Sequence, residues 1–429
     1  MDHFLYRDGV LHAEDVPLPR IAEAVGTPFY VYSAATIERH YRVFSEAFAG
    51  VDHLVAYAVK ANSNQAVLRT LARLGSGADI VSGGELMRAL RAGIAPERIM
   101  FSGVGKRADE MDLALEHAIM CFNVESEAEL ERLSARAAAL GREAPVSFRI
   151  NPDVDAGTHW KISTGKAENK FGVAWNDASR LYGRAAALPG IRVVGIDMHI
   201  GSQIVDLAPF DRAFARLGEL VDRLRGEGHA IEHVDVGGGL GIPYRESNAP
   251  PPDPAAYAGV VRSHVERIGA RIVFEPGRLI VGNAGQFVSR VEYVKEGDAK
   301  TFVIVDGAMN DLIRPTLYDA WHEIRPVEAR AANRAWGRCD VVGPVCETGD
   351  FLALDRDLPQ LKEGDLLSFG SAGAYGAVQA GTYNTRPLVP EVMVSGDRFA
   401  VVRPRQTVDE LVGLDRVPEW LEEADERAA

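Results

Sequence analysis

Eight short β-branched or aromatic runs, most of them followed by a helix-compatible stretch, predict a parallel (β/α)8 TIM barrel over residues 36–284. After Val281 the rhythm changes to closely spaced strand-like runs punctuated by Gly and Pro. That predicts a mostly antiparallel β-sandwich or β-barrel domain over residues 285–429. Residues 1–35 are assigned to the same β domain, because Phe29-Tyr30-Val31-Tyr32 reads as a strand outside the barrel repeat. A chain of 429 residues, 47% apolar and 25% charged, has the material for both cores. A doubly wound sheet has the same local signature and stays open on this pattern alone.

In order, the barrel runs are His53–Val59, Ala78–Val81, Ile99–Gly103, Met120–Val124, Val146–Ile150, Val193–His199, His233–Val236 and Arg271–Phe274. Helical patterns cover Asn64–Leu74, Gly84–Ala92, Glu125–Leu140 and Phe210–Arg225. The connection after the fifth run, residues 151–172, is long and polar. On a barrel it would leave a strand's C-terminal end, either as a lid or as a solvated loop. The β-domain runs are Gly285–Tyr293, Thr301–Val305, Arg338–Val342, Leu366–Phe369 and Val389–Val394, and the acidic tail Asp409–Ala429 reads as helical, then frayed.

Lys and Arg total 47 against 61 for Asp and Glu, a formal charge of −14. A field of that sign repels phosphate backbones and anionic lipid, so nucleic acid and membranes are poor partners and a small-molecule substrate is expected. Residues 1–8 lack the apolar segment of a secretory signal. The three cysteines, Cys121, Cys339 and Cys346, have no CxxC spacing. A reducing cytoplasm therefore fits better than a disulfide framework, and no metal site is expected.

Residues able to do chemistry cluster at the ends of the barrel runs. The first run ends Tyr57-Ala58-Val59-Lys60-Ala61-Asn62. Desolvation of Lys60 there would lower its pKa and favour it as a nucleophile, while the bland alternative is a snorkelling lysine. His199 follows the sixth run within His199-Ile200-Gly201-Ser202-Gln203. Gly237-Gly238-Gly239 follows the seventh and could expose backbone N–H groups to an anion. Glu275-Pro276-Gly277-Arg278 follows the eighth, with Gly277 allowing close approach and Arg278 a fork for phosphate or carboxylate; a Glu–Arg ion pair in a tight turn is the alternative. Three polar segments stand out in the β domain, Met309–Tyr318, Gly343–Asp350 and Gly373–Ala377, whereas Cys121 and Cys339 read as core.

Together these segments resemble the fold-type III pyridoxal-phosphate decarboxylases, whose barrel and β domain have the alanine racemase-like arrangement. The match rests on Tyr57–Asn62, His199–Gln203, the three glycines, Glu275–Arg278, Cys346-Glu347-Thr348-Gly349-Asp350 and Ala374-Tyr375-Gly376, in the family's order along nearly the whole chain. The resemblance implies that pyridoxal 5'-phosphate is carried on Lys60, with His199 stacked on its ring and Glu275 at the ring nitrogen. A carboxylate there keeps the nitrogen protonated and the ring electron-accepting. Ser202, Gly238, Gly239, the turn of Glu275, Pro276, Gly277 and Arg278, and Tyr375 are implied to hold the phosphate. Cys346 is implied to reprotonate the α-carbon.

The segment Cys346–Asp350 has the pattern of family members acting on meso-2,6-diaminopimelate, whereas ornithine-type members place an aspartate after the cysteine. Arg278, Arg314 and Tyr318 would then take the distal carboxylate and Glu347 the distal amine, with Tyr375 also at the substrate. The resemblance further implies a homodimer with shared active sites. The alternatives are decarboxylation of ornithine or arginine, a non-catalytic cofactor-binding regulator, and a racemase, against which Glu275 argues.

Overall fold

The computed structural model describes residues 2–155, 170–245 and 251–421. Eight parallel strands close into a barrel: His53–Ala58, Gly77–Ile80, Ile99–Phe101, Cys121–Val124, Ala144–Asn151, Ile191–Asp197, His233–Asp235 and Arg271–Phe274. The ring closes where Ile272 of the eighth strand lies opposite His53 of the first. A doubly wound sheet would leave two free edges there, so that alternative is excluded.

Helices fill the connections, and polar caps set where several begin. Ser82 and Ser126 each accept a hydrogen bond from the backbone N–H three residues on, starting Gly83–Ala92 and Glu127–Leu140. Asp253 does the same for Pro254–His264, with proline at the first helical position.

Leu54, Ala56, Met100, Cys121, Val194 and Val273 form a separate apolar cluster within the barrel strands. Late positions carry Asp79, Asn123, Arg149, Asp197 and Asp235, all buried. Charge is thereby delivered to the C-terminal rim, where barrel active sites form.

The second large sheet runs in the order Phe351–Pro359, Trp336–Val342, Thr301–Val305, Gly285–Glu296, Phe29–Ser33, Glu391–Ser395, Arg398–Arg403, with Leu366–Phe369 and Ile324–Pro326 off this path. Most pairs are antiparallel. Two are parallel, joining Thr301–Val305 to Trp336–Val342 and Phe29–Ser33 to Glu391–Ser395. Phe29–Ser33 lies inside the sheet and all five of its residues are buried, which explains a continuous apolar run in place of alternation. Its last residue, Ser33, caps helix Ala34–Glu46 by accepting from the Thr36 N–H, so the chain passes from this sheet to the barrel without a linker.

Several features go beyond the sequence reading: a small sheet of Phe4–Arg7, Val10–Ala13 and Val16–Pro17, and the strands Ile324–Pro326, Phe351–Pro359 and Arg398–Arg403. In the tail, Val408–Val412 is a single helical turn started by a Thr407/Glu410 capping box. Residues 156–169 and the end of the tail lie outside the described residues, so the lid-or-loop question for 151–172 does too. Among the described residues no helix is long and apolar enough to cross a membrane.

Candidate active site

The strand ends and the turns beyond them surround one cleft. The first strand's turn contributes Lys60, the sixth strand's exit His199 and Ser202, the seventh's Gly238 and Gly239, and the eighth's Glu275, Pro276, Gly277 and Arg278. Tyr375 reaches the same cleft from the second sheet, held there by its N–H donating to the Ala61 carbonyl at 2.8 Å.

Lys60 lies just past the strand, on the 3-10 turn Val59–Ala61. Its Nζ donates to Asp79 Oδ2 at 2.8 Å, yet its side chain remains 39% exposed and so reachable from the cleft. The expected fall in its pKa does not occur. Burial pushes the ammonium down, but the Asp79 and Glu275 carboxylates outweigh that and hold it above its usual value. The charge on Lys60 is set by acids on the neighbouring strands, which the first run alone could not reveal.

Of those acids Glu275 lines the cleft, and it belongs to a buried carboxyl cluster. Carboxylate oxygens of Asp197, Asp235 and Glu275 all lie within 4.8 Å of one another, and all three side chains are buried. Three carboxyls so placed do not ionise together. Burial, then Asp235, Asp79 and Asp197, push the Glu275 carboxyl well up; burial chiefly lifts Asp197 to about 7. Asp235 Oδ1 accepts from the Gly237 N–H at 2.8 Å, while Asp235 Oδ2 and Asp197 Oδ1 have no hydrogen-bond partner among the described residues.

His199 is neutral, because burial and the nearby Arg149 and Lys60 cations depress its pKa well below the usual value. Its Nδ1 accepts from the Gly238 N–H at 3.2 Å, which places its proton on Nε2. The glycine run serves this imidazole. Gly237 has φ +66°, and a Cβ on it would sit 2.7 Å from His199 Nδ1; a Cβ on Gly238 would collide with the Glu275 carbonyl. The expected nest of free amides is therefore only partial, since the Gly237 and Gly238 N–H groups are bonded within the protein. Gly277 is likewise required by packing: its Cβ would fall 2.9 Å from Ala61 Cβ and 3.1 Å from Ala58 Cβ.

Arg278 makes no ion pair with Glu275. Its Nη2 donates to Ser202 Oγ at 3.0 Å and its Nη1 to the Tyr244 hydroxyl, its guanidinium lies 4.8 Å from the Tyr375 ring centroid, and its buried Nε has no partner among the described residues. Arg314 is outside the cleft lining but close to this group, stacked 4.7 Å from the Tyr244 ring centroid. The Tyr318 hydroxyl accepts from Gln379 Nε2 at 3.4 Å. Cys346 and Glu347 do not join them. Both are exposed on a turn of the second domain, with the Cys346 N–H donating to Asn384 Oδ1 at 2.8 Å and the Tyr383 hydroxyl to Glu347 Oε2 at 3.3 Å. Cys121 and Cys339 are buried, and burial pushes their thiols up to about 12 and 11.

Asp79, Asp197, Asp235 and Tyr244 were missed in the sequence. Asp197 and Asp235 carry the same signal as Lys60, a charge at the end of an apolar strand, whereas Asp79 lies inside its run and Tyr244 carries no signal. The donor set suits a planar aldehyde cofactor with a basic ring nitrogen and a phosphate. Lys60 is the amine for the aldehyde, Glu275 is a buried carboxyl able to pair with a ring nitrogen, and Arg278 has a buried donor to spare.

A family profile described as "Pyridoxal-dependent decarboxylase, pyridoxal binding domain" matches residues 34–282. The diaminopimelate decarboxylase of Pseudomonas aeruginosa is 56% identical over 411 residues, spanning 96% of this chain and 98% of that one. The crystal structure of diaminopimelate decarboxylase from Helicobacter pylori complexed with L-lysine is 41% identical with a TM-score of 0.89, over 92% of this chain and 98% of that one. That from M. jannaschii in co-complex with L-lysine is 36% identical with a TM-score of 0.92, over 98% and 99%.

Proposed function

The chain belongs to the pyridoxal-dependent decarboxylases, and from that premise we propose that it converts meso-2,6-diaminopimelate to L-lysine and CO2, closing lysine biosynthesis. The observation that carries the substrate is the buried pair Arg278 and Arg314, which lacks a carboxylate partner among the described residues. A substrate with a second carboxylate supplies one; ornithine and arginine do not.

Bound pyridoxal phosphate supplies the electron sink for the pair left when CO2 departs. Lys60 Nζ carries the cofactor, and Asp79 orients that amine. Ser202, Arg278, the amides around Gly238 and Gly239, the Glu275–Arg278 turn and Tyr375 hold the phosphate. Glu275 holds a proton at the ring nitrogen, and Asp197 and Asp235 lie behind it in the buried carboxyl cluster. His199, neutral and fixed by Gly238, stacks on the ring. Arg278, Arg314 and Tyr318 bind the distal carboxylate and Glu347 the distal amine, with Tyr375 beside the substrate.

Cys346 Sγ returns a proton to the carbon that lost CO2. Because Cys346 and Glu347 are exposed and outside their own chain's cleft, we assign them to the site of a second copy, in a homodimer with shared active sites. Residues 36–284 form the cofactor-binding domain in this reading, and residues 1–35 and 285–429 the domain that brings the partner's turn. Three unpaired thiols fit a reducing cytoplasm.

The test is CO2 release from meso-diaminopimelate, L-ornithine, L-arginine and L-lysine, with and without added pyridoxal phosphate. Release from diaminopimelate alone, dependent on the cofactor, is expected. Preferential release from ornithine or arginine would overturn the substrate.

A further inference from the structure

Arg278 and Arg314 are 7% and 6% exposed, and among the described residues the groups acting on them are phenols and each other, not carboxylates. The acceptors that the protein offers this pair are neutral. Ser202 gives a hydroxyl to Arg278. His322 gives an imidazole nitrogen to Arg314 at 3.0 Å. That imidazole is no counter-charge. Its Nδ1 faces the Gly370 carbonyl at 2.8 Å and therefore carries the proton, and burial with Arg314 alongside drives its pKa down to about 3. Two desolvated cations held this way are unfavourable until an anion reaches them.

One side chain touches both. The Tyr244 hydroxyl accepts from Arg278 Nη1, while the Arg314 guanidinium lies 4.7 Å from the centre of the same ring and His322 meets that ring edge-on at 5.6 Å. The ring fixes where Arg314 lies by cation–π contact, and the hydroxyl fixes the rotation of Arg278. Burial acts to raise this phenol, but the two guanidiniums outweigh it and hold it below its usual value, which marks the hydroxyl as lying in their joint positive field.

We propose that Tyr244 is a specificity-determining residue, whose hydroxyl holds Arg278 in register with Arg314 as a two-cation receptor for a carboxylate at the far end of the substrate. This rests on the diaminopimelate reading for what the far end carries. Tyr244 acts through the arginines and has no part in the bond-breaking step, so it is a positioning residue. Its removal affects recognition of one substrate end, while the phosphate, which Arg278 shares, keeps Ser202, the amides around Gly238 and Gly239, and Tyr375.

The test uses two inhibitors of CO2 release from meso-diaminopimelate by the holoenzyme. L-lysine, the product, keeps the far-end amine and carboxylate; 1,5-diaminopentane has the same skeleton without the carboxylate. In Tyr244→Phe the ring and its stacking remain and the acceptor is gone. KM for diaminopimelate and Ki for L-lysine are expected to rise about tenfold, the ratio set by one hydrogen bond of ordinary strength, with kcat within about twofold and the Ki for 1,5-diaminopentane unchanged. Tyr244→Glu is the second variant. It places a carboxylate between the guanidiniums, which neutralises the pair and so does not depend on the fold tolerating a lost acceptor. It too should collapse the preference for L-lysine over 1,5-diaminopentane. Equal shifts for both inhibitors, or a fall in kcat with KM unchanged, would overturn the proposal. Failure of the functional reading is visible separately, as an unmodified enzyme that releases no CO2 from diaminopimelate, and the proposal falls with it.

Discussion

The charge on Lys60 is set by its neighbours on the two adjacent strands, Asp79 and Glu275, which outweigh the desolvation of the amine. Lys60→Ala should abolish the cofactor's absorbance above 400 nm and lower CO2 release about a thousandfold or more, because the amine that carries the cofactor is gone. Borohydride reduction of the unmodified holoenzyme, followed by peptide mapping, should label Lys60; label on Lys170 would overturn the assignment. The buried carboxyl cluster gives a second prediction. The Asp197 carboxyl is lifted from 3.8 to about 7, so the folded protein keeps a proton that the unfolded chain releases on going up through that window. The stability tied to that proton is complete below about pH 4 and lost as pH rises through about 7, at no more than about 1.4 kcal/mol per pH unit. Asp197→Asn should therefore gain in Tm relative to the unmodified protein between pH 5 and 8; a difference independent of pH would refute the shift. Lys60, His199 and Glu275 are legible in sequence because each closes an apolar run, and Asp197 and Asp235 offered the same signal. Tyr244 was not legible, because Arg278 and Arg314 become its neighbours only when the eighth strand and the second sheet are in place.

The barrel was readable from element pattern because parallel strands buried on both faces give short continuous apolar runs at regular intervals. The turn after the first strand was less so: Lys60 belongs to a 3-10 turn, which has no periodicity of its own at three residues. In the second sheet Phe351–Pro359 escaped notice because its burial does not alternate strictly, and its pairing with Trp336–Val342 shifts register twice. Gly285–Glu296 is the element on which that sheet depends, since it pairs with Phe29–Ser33, Leu366–Phe369 and Thr301–Val305. Phe287 on it is fully buried, with ring centroids 5.0 Å from Tyr30 and 5.8 Å from Phe369. Phe287→Ala should cost about 3–5 kcal/mol in urea unfolding, read as a lower midpoint with the slope unchanged. A loss below about 1 kcal/mol would mean that the site collapses around the cavity and that the sheet is held elsewhere.

For the whole molecule the deciding fact is a separation. The groups for the cofactor, Tyr375 apart, come from barrel strand ends, whereas Cys346 and Glu347 stand exposed on a turn of the other domain and outside the cleft lined by Lys60. No reading of local sequence could decide between a turn that serves its own barrel and one that serves a second copy, because the two differ only in a rigid-body operation. A two-fold arrangement builds two identical sites, each using both chains. Mixing inactive Lys60→Ala subunits with inactive Cys346→Ala subunits tests this, with exchange verified by differently tagged chains. In the shared-site arrangement one site of each hybrid pairs an intact Lys60 with an intact Cys346, and its other site has neither. Half of randomly formed dimers are hybrids, so roughly a quarter of the unmodified activity should return. Sites built within one chain predict no recovery, because every chain then carries one lesion in its own site. Verified exchange without activity would place Cys346 beside its own chain's Lys60 and remove the shared site.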